Sequence, residues 1–266
     1  MAVYLILTVA AVMNAPASEA AGPNLDVAGV KIGMSMNDAI AALKADNSKF
    51  SINVVSHQWE GFSSPLHPFI AAQSMGDKPG DSENISLLLT MAPGPEQVWG
   101  IDRLCGYGAD NRLATVNVVA ALRKKYGPES IPPGPSLQTQ NLAWVFDESG
   151  NLLPEDKAKQ VLVTCGTLLQ THFGNNDDPT SYREIQTGKY APQDCGGIIL
   201  VKANVQSTLL NPGTSDYVAY SLDVQMTHYS MYRTAIVATR AIVGAAAQAR
   251  EQGAAQDANQ RGGPKL

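Results

Sequence analysis

Two stretches decide the fold: IILVKANVQ at Ile198–Gln206 and YVAYSLDVQMT at Tyr217–Thr227. In the first, Ile199, Val201, Ala203 and Val205 lie on one side of an extended chain, and Lys202, Asn204 and Gln206 on the other. In the second, Val218, Tyr220, Leu222, Val224 and Met226 oppose Ala219, Ser221, Asp223 and Gln225. Period two with one polar face describes half-buried antiparallel strands. Asn211-Pro212-Gly213 supplies the turn between them.

Further strand-like segments precede these two: Ser51–Gln58, Phe69–Ser74, Ile85–Met91, Gln97–Leu104, Leu142–Asp147 and Val161–Cys165. Each group of four strands follows a helix. In the first helix Ser35 is an N-cap candidate, Asp38 completes a capping-box variant, and Met36, Ile40 and Leu43 form one stripe. The second runs from about Leu113 to Tyr126, with Val118, Leu122 and Tyr126 in one row beside Val119. Arg123, Lys124 and Lys125 suit its C-terminal dipole, and Gly127-Pro128 stops it. A long helix from about Ser230 to Gln252 carries Tyr229, Tyr232, Ile236, Val243 and Ala246 on one stripe. The small residues Ala235, Ala238, Ile242, Ala245 and Ala249 form a second stripe, and packing on the protein's own sheet is the simplest use of this surface.

The expected fold is therefore α+β: two tandem helix-plus-four-strand antiparallel units packed as one composite domain, with a long C-terminal helix. The expected boundaries are a signal peptide at 1–20, a first unit at 21–110, a second at 111–228, the helix at 229–252 and a disordered Gly/Ala/Gln-rich tail at 253–266.

Composition narrows the function. The 266 residues are 44% apolar and 16% charged, which excludes disorder along the whole chain. A net charge of −5 without a Lys/Arg cluster argues against a nucleic-acid groove. Tyr4–Met13 is an apolar run too short to span a bilayer, broken by Asn14-Ala15-Pro16 and followed by Ser18-Glu19-Ala20. That layout is a secretory signal cleaved near Ala20, although no Lys or Arg precedes the run. A periplasmic or secreted protein without a transmembrane helix in its mature chain is expected. Export favours disulfides, and Cys105, Cys165 and Cys195 allow one bridge and one free thiol. Cys165–Cys195 would pin the base of a polar, turn-rich excursion, a closure contributing about 3.5 kcal/mol in the chain-entropy model. Three unrelated thiols are the alternative.

The helix start Gly33-Met34-Ser35-Met36-Asn37-Asp38-Ala39-Ile40-Ala41-Ala42-Leu43 and the helix end Ala120-Ala121-Leu122-Arg123-Lys124-Lys125-Tyr126-Gly127-Pro128 together cover about thirty residues. They resemble the motif of small exported modules of the β-lactamase inhibitory protein type, which also occur in the small lipoprotein of the outer-membrane β-barrel assembly machinery. The resemblance implies a protein that binds other proteins and has no active site. The chain lacks a lipidation cysteine near its signal and adds a C-terminal helix, so the architecture carries over and a specific partner does not.

Candidate chemistry is sparse. His57, Glu60 and His67 could ligate zinc, but they lack helical HExxH spacing, and incidental loop histidines are the plainer reading. There is no G-x-S-x-G elbow, and Cys105 beside Arg103 has no visible base. Trp59, Trp99, Arg103 and Tyr107 are the binding candidates, because aromatic and arginine side chains anchor interfaces. Trp99, Ile101, Arg103 and Cys105 share one strand face by alternation, and burial of Trp99 under a helix is the alternative. No cofactor is expected. The leading expectation is a non-catalytic module that binds another protein or envelope component. The alternatives are a secreted enzyme of unrecognised type, for instance a metal-dependent hydrolase, and an oligomeric structural subunit joined through the C-terminal helix.

Overall fold

The computed structural model describes residues 25–172 (165–172 as backbone only), 197–211 and 216–260. Its chain order is β1 (Asp26–Val27), β2 (Val30–Lys31), α1 (Met36–Asp46), β3 (Ser51–His57), β4 (Leu66–Met75), β5 (Ser82–Leu89) and β6 (Val98–Gly106). Next come β7 (Leu113–Ala114), α2 (Thr115–Tyr126), β8 (Thr139–Phe146), α3 (Glu155–His172), β9 (Ile199–Leu209), β10 (Tyr217–His228) and α4 (Tyr229–Gln260). The class is α+β. Apart from the small β1–β2 hairpin, the strands form one eight-stranded antiparallel sheet in the order β3-β4-β5-β6-β10-β9-β8, with β7 pairing β10.

This order follows from the two halves. In the first, β3 to β6 meander outward to inward. In the second, β8, β9 and β10 do the same from the opposite edge. The last strand of each half meets the other at the centre, where β6 and β10 pair from Ser221↔Gly106 to Thr227↔Gly100. The second half's fourth strand is the short β7, not Val161–Cys165. That segment belongs to α3, because Glu155, Asp156 and Lys159 build a helical first turn with a Glu155–Lys159 ion pair of 2.6 Å. Apolar runs of four residues fit either structure, and length decides.

Helices α1 and α2 cover one sheet face. Ser35 Oγ accepts a hydrogen bond from Asp38 N–H at 3.2 Å and donates to Asp38 Oδ2 at 2.7 Å, which starts α1 as its sequence implies. Gly127 ends α2 at φ +86°, its N–H donating to Arg123 O at 2.9 Å. Leu43, Val118, Leu122 and Tyr126 bury against Ile70, Leu87, Ile101, Trp144, Val201 and Met226. Each large apolar side chain so buried contributes about 1.5–3 kcal/mol. The β1–β2 turn ties in α2: Lys125 Nζ lies 2.8 Å from Asp26 Oδ1, and Tyr126 Oη donates to Asp26 O at 2.9 Å.

Helices α3 and α4 cover one end of the other face. There Trp59, Leu66, Phe69, Leu88, Trp99, Val145, Leu200, Tyr232 and Ile236 form a second core. The C-terminal helix packs on the sheet through Tyr229, Tyr232 and Ile236, and it continues to Gln260 where a disordered tail from 253 is expected. Residues 1–24, 173–196 and 261–266 lie outside the described residues, and with them the signal segment and Cys195.

Two bulges alter the simple alternation. Between Leu88↔Gly100 and Leu89↔Val98, strand β6 carries Trp99 as an extra residue. Trp99 therefore leaves the Ile101–Arg103–Cys105 face and joins the second core, stacked on Tyr232 with ring centroids 4.2 Å apart. A bulge at Tyr220 likewise sends Ala219 into the first core and leaves Tyr220 exposed. Trp99→Ala is thus expected to lower unfolding free energy by about 3–5 kcal/mol, measured by urea denaturation. A change below about 1 kcal/mol would place the indole outside the core.

Candidate functional site

The strands set up two polar regions back to back on β6. Arg103 and Cys105 face α1, and Asp102 and Leu104 face the opposite side. On the α1 side, Arg103 Nη2 lies 2.5 Å from Glu83 Oε1 and 3.9 Å from Asp46 Oδ2. Arg103, Cys105 and Tyr107 line a cleft of about 640 Å³ with Asn47, Glu83 and Asn111. Burial pushes the Cys105 thiol up, and the adjacent Arg103 only partly offsets this. A thiol held protonated is a poor nucleophile, so this cysteine reads as packing. Burial, then the neighbouring Cys105, pushes the Tyr107 hydroxyl up to about 12. Arg103 is committed to its two carboxylates.

The remaining candidates are scattered. Trp59 is buried in the second core, with His57 against its edge at 4.8 Å. Glu60 pairs with Arg250 of α4 at 3.0 Å, and His67 Nδ1 with Glu96 at 3.1 Å. His57, Glu60 and His67 do not converge, and among the described residues no group of three His, Cys, Asp or Glu side chains could hold a metal. The Cys165 side chain and Cys195 fall outside the described residues, and Cys105 is a buried free thiol.

The second region was not singled out by sequence reasoning. Beyond the ends of α3 and α4, no described residue covers this sheet face. Register places Asn53, Gln73, Asn84, Ser86, Asp102, Asp223, Gln225, Lys202, Asn204 and Asn141 across it, from β3 to β8. Asn204 Nδ2 donates to Asn141 Oδ1 at 2.6 Å, and Tyr220 Oη to Gln206 Oε1 at 3.0 Å. Leu162 of α3 and Ile131 wall a groove of about 550 Å³ along β8, β9 and β10, with Lys202, Asp223 and Gln225 on its floor.

The centre of this face holds two carboxyl groups on neighbouring strands. Asp102 of β6 pairs in register with Gln225 of β10, so Asp223 is its diagonal neighbour. Burial, then hydrogen bonding to Asp223 and that residue's charge, pushes the Asp102 carboxyl up to about 8. Burial also raises Asp223, while its hydrogen bond with Asp102 pulls the other way. Neutral pH therefore favours the protonated form of Asp102 beside Asp223, as expected where two carboxyls occupy one site. Gln225 Nε2 reaches Asp223 Oδ2 at 3.5 Å, and burial lowers the ammonium of Lys202. Solvated faces of antiparallel sheets usually carry fully exposed charges, so a half-buried carboxyl pair with one shielded oxygen on each side chain marks the site out.

No family model, curated protein or solved structure matches the chain. Among the described residues, no helix is long and apolar enough to cross a membrane.

The pair makes stability pH-dependent. Asp102's folded-state value lies above its unfolded value of 3.8, so its contribution is complete below about pH 4 and is lost as pH rises toward 8. Asp102→Asn removes that loss. Thermal melts from pH 4 to 9 are expected to show the variant gaining on the parent as pH rises. A constant offset across the range would remove the Asp102 proton from this account.

Proposed function

We propose that the chain is an exported, non-catalytic binding module that receives a protein or envelope component on the uncovered polar part of its sheet. One observation carries this reading: among the described residues, four helices cover one sheet face and one end of the other, and leave a grid of amide groups around a half-buried carboxyl pair. Amide side chains can donate and accept, so such a grid suits a hydrogen-bonding partner. The resemblance of Gly33–Leu43 and Ala120–Pro128 to exported protein-binding modules supports the same reading. So does the apolar Tyr4–Met13 segment followed by Ser18-Glu19-Ala20. The ion pairs of Arg103 and Glu60, the hydrogen bond between His67 and Glu96, and the protonated Cys105 leave the catalytic candidates without a nucleophile and base in contact.

Capture from envelope extract tests this with variants on either side of the sheet. Gln73→Arg and Asn141→Arg place long cations on the uncovered face, at exposed positions on β4 and β8. Val116→Arg alters α2 on the covered side, where the parent valine is 70% exposed. The parent and Val116→Arg are expected to retain the same bound protein, and both face variants to lose at least about tenfold in affinity, the ~1.4 kcal/mol of a blocked contact. All three should melt within a few degrees of the parent. Retention by both face variants, or loss in Val116→Arg alone, would move the binding surface elsewhere.

A further inference from the structure

We propose that Asp102 and Asp223 form a proton-operated latch across the seam that joins the two halves of the molecule. The argument begins with topology. Asp102 belongs to the last strand of the first half and Asp223 to the last strand of the second. Within the sheet, the halves meet at the β6–β10 pairing. The carboxyl pair lies in the middle of that pairing: Gln225↔Asp102, Val224↔Arg103 and Asp223↔Leu104 are consecutive in register. Asp102 Oδ1 and Asp223 Oδ1 are both buried and accept no hydrogen bond. One proton between the two carboxyls satisfies the pair. Loss of that proton leaves two buried negative charges on opposite sides of the seam.

The surroundings make this response sharp. On the same face, β5 presents Asn84 and Ser86, β6 Leu104, and β10 Ser221 and Gln225, none of which titrates. Strand β9 presents Lys202 and Asn204, and α3 contributes Leu162 to the groove wall. Among the described side chains of these elements, Lys202 is therefore the titratable neighbour, and burial already disfavours its charge. Arg103, Glu83 and Asp46 lie on the other side of the sheet, with β6 between them and the pair. The raised value of Asp102 means that opening the seam releases a proton across the span from about pH 4 to about pH 8. Across that span the seam loosens progressively while each half keeps its own helix-on-sheet packing. This holds whatever docks on the face, and is tested on the protein alone.

Hydrogen exchange of the full chain reads the latch. Protection, corrected for the intrinsic rate, is compared between seam amides of β6 and β10 and flank amides of β4 and β9. At pH 4 the two groups are expected to be equally protected. At pH 9 the seam should be at least about tenfold less protected than the flanks, since one linked proton shifts an opening equilibrium by up to tenfold per pH unit. In Asp102→Asn, whose neutral amide donates to Asp223, the ratio stays near one at both values. Asp223→Asn is expected to do the same, and serves if the first variant does not fold. An unchanged ratio in the parent, or the same shift in a folded asparagine variant, would overturn the latch.

Discussion

The antiparallel pairing of β6 with β10 is the constraint on which the rest of the molecule depends. Each half alone is a helix against a meander with one apolar face, and its last strand would present an unpaired edge. Such an edge invites pairing with any other chain. Meeting edge to edge removes both liabilities and merges two small cores into one, running from Ile70 to Val201 beneath α1 and α2. The ties of Lys125 and Tyr126 to Asp26 repeat the link on the helical side.

The same geometry explains where the molecule is left open. The helices α1 and α2 are spaced by the two halves and cover one face evenly. Among the described residues, the opposite face has α3 and α4 alone, which gather at the end marked by Trp99, Val145 and Leu200. The strands continue past that cover, and their outward side chains change from apolar to amide and hydroxyl. The carboxyl pair lies where the seam crosses this uncovered stretch. Its position couples the holding of the halves to the chemistry of the face, so one buried proton bears on both.

Much of this was legible in the sequence, and the reasons for the rest are specific. The alternation of β9, the capping box at Ser35 and the Gly127-Pro128 stop are local signals, and local physics decides them. Trp99 and Tyr220 were misplaced because bulges shift alternation by one residue, and a bulge depends on the partner strand. Val161–Cys165 was read as a strand because four apolar residues do not separate the two periods. The helix extends past Gly253 because alanine and glutamine are strong helix formers that outweigh one glycine. Asp102 could not be linked with Asp223, more than a hundred residues away, until the order of strands was known. Arg103 and Tyr107 do line a common cleft, but the carboxylates of Glu83 and Asp46 that occupy Arg103 come from other elements.

The central claim is that the β6–β10 seam makes the two halves a single cooperative body at neutral and lower pH. Differential scanning calorimetry of the full chain at pH 6 tests it most directly. One transition is expected, with calorimetric and van't Hoff enthalpies equal. Two resolved transitions, or a calorimetric enthalpy well above the van't Hoff value, would show the halves melting independently and would contradict the account.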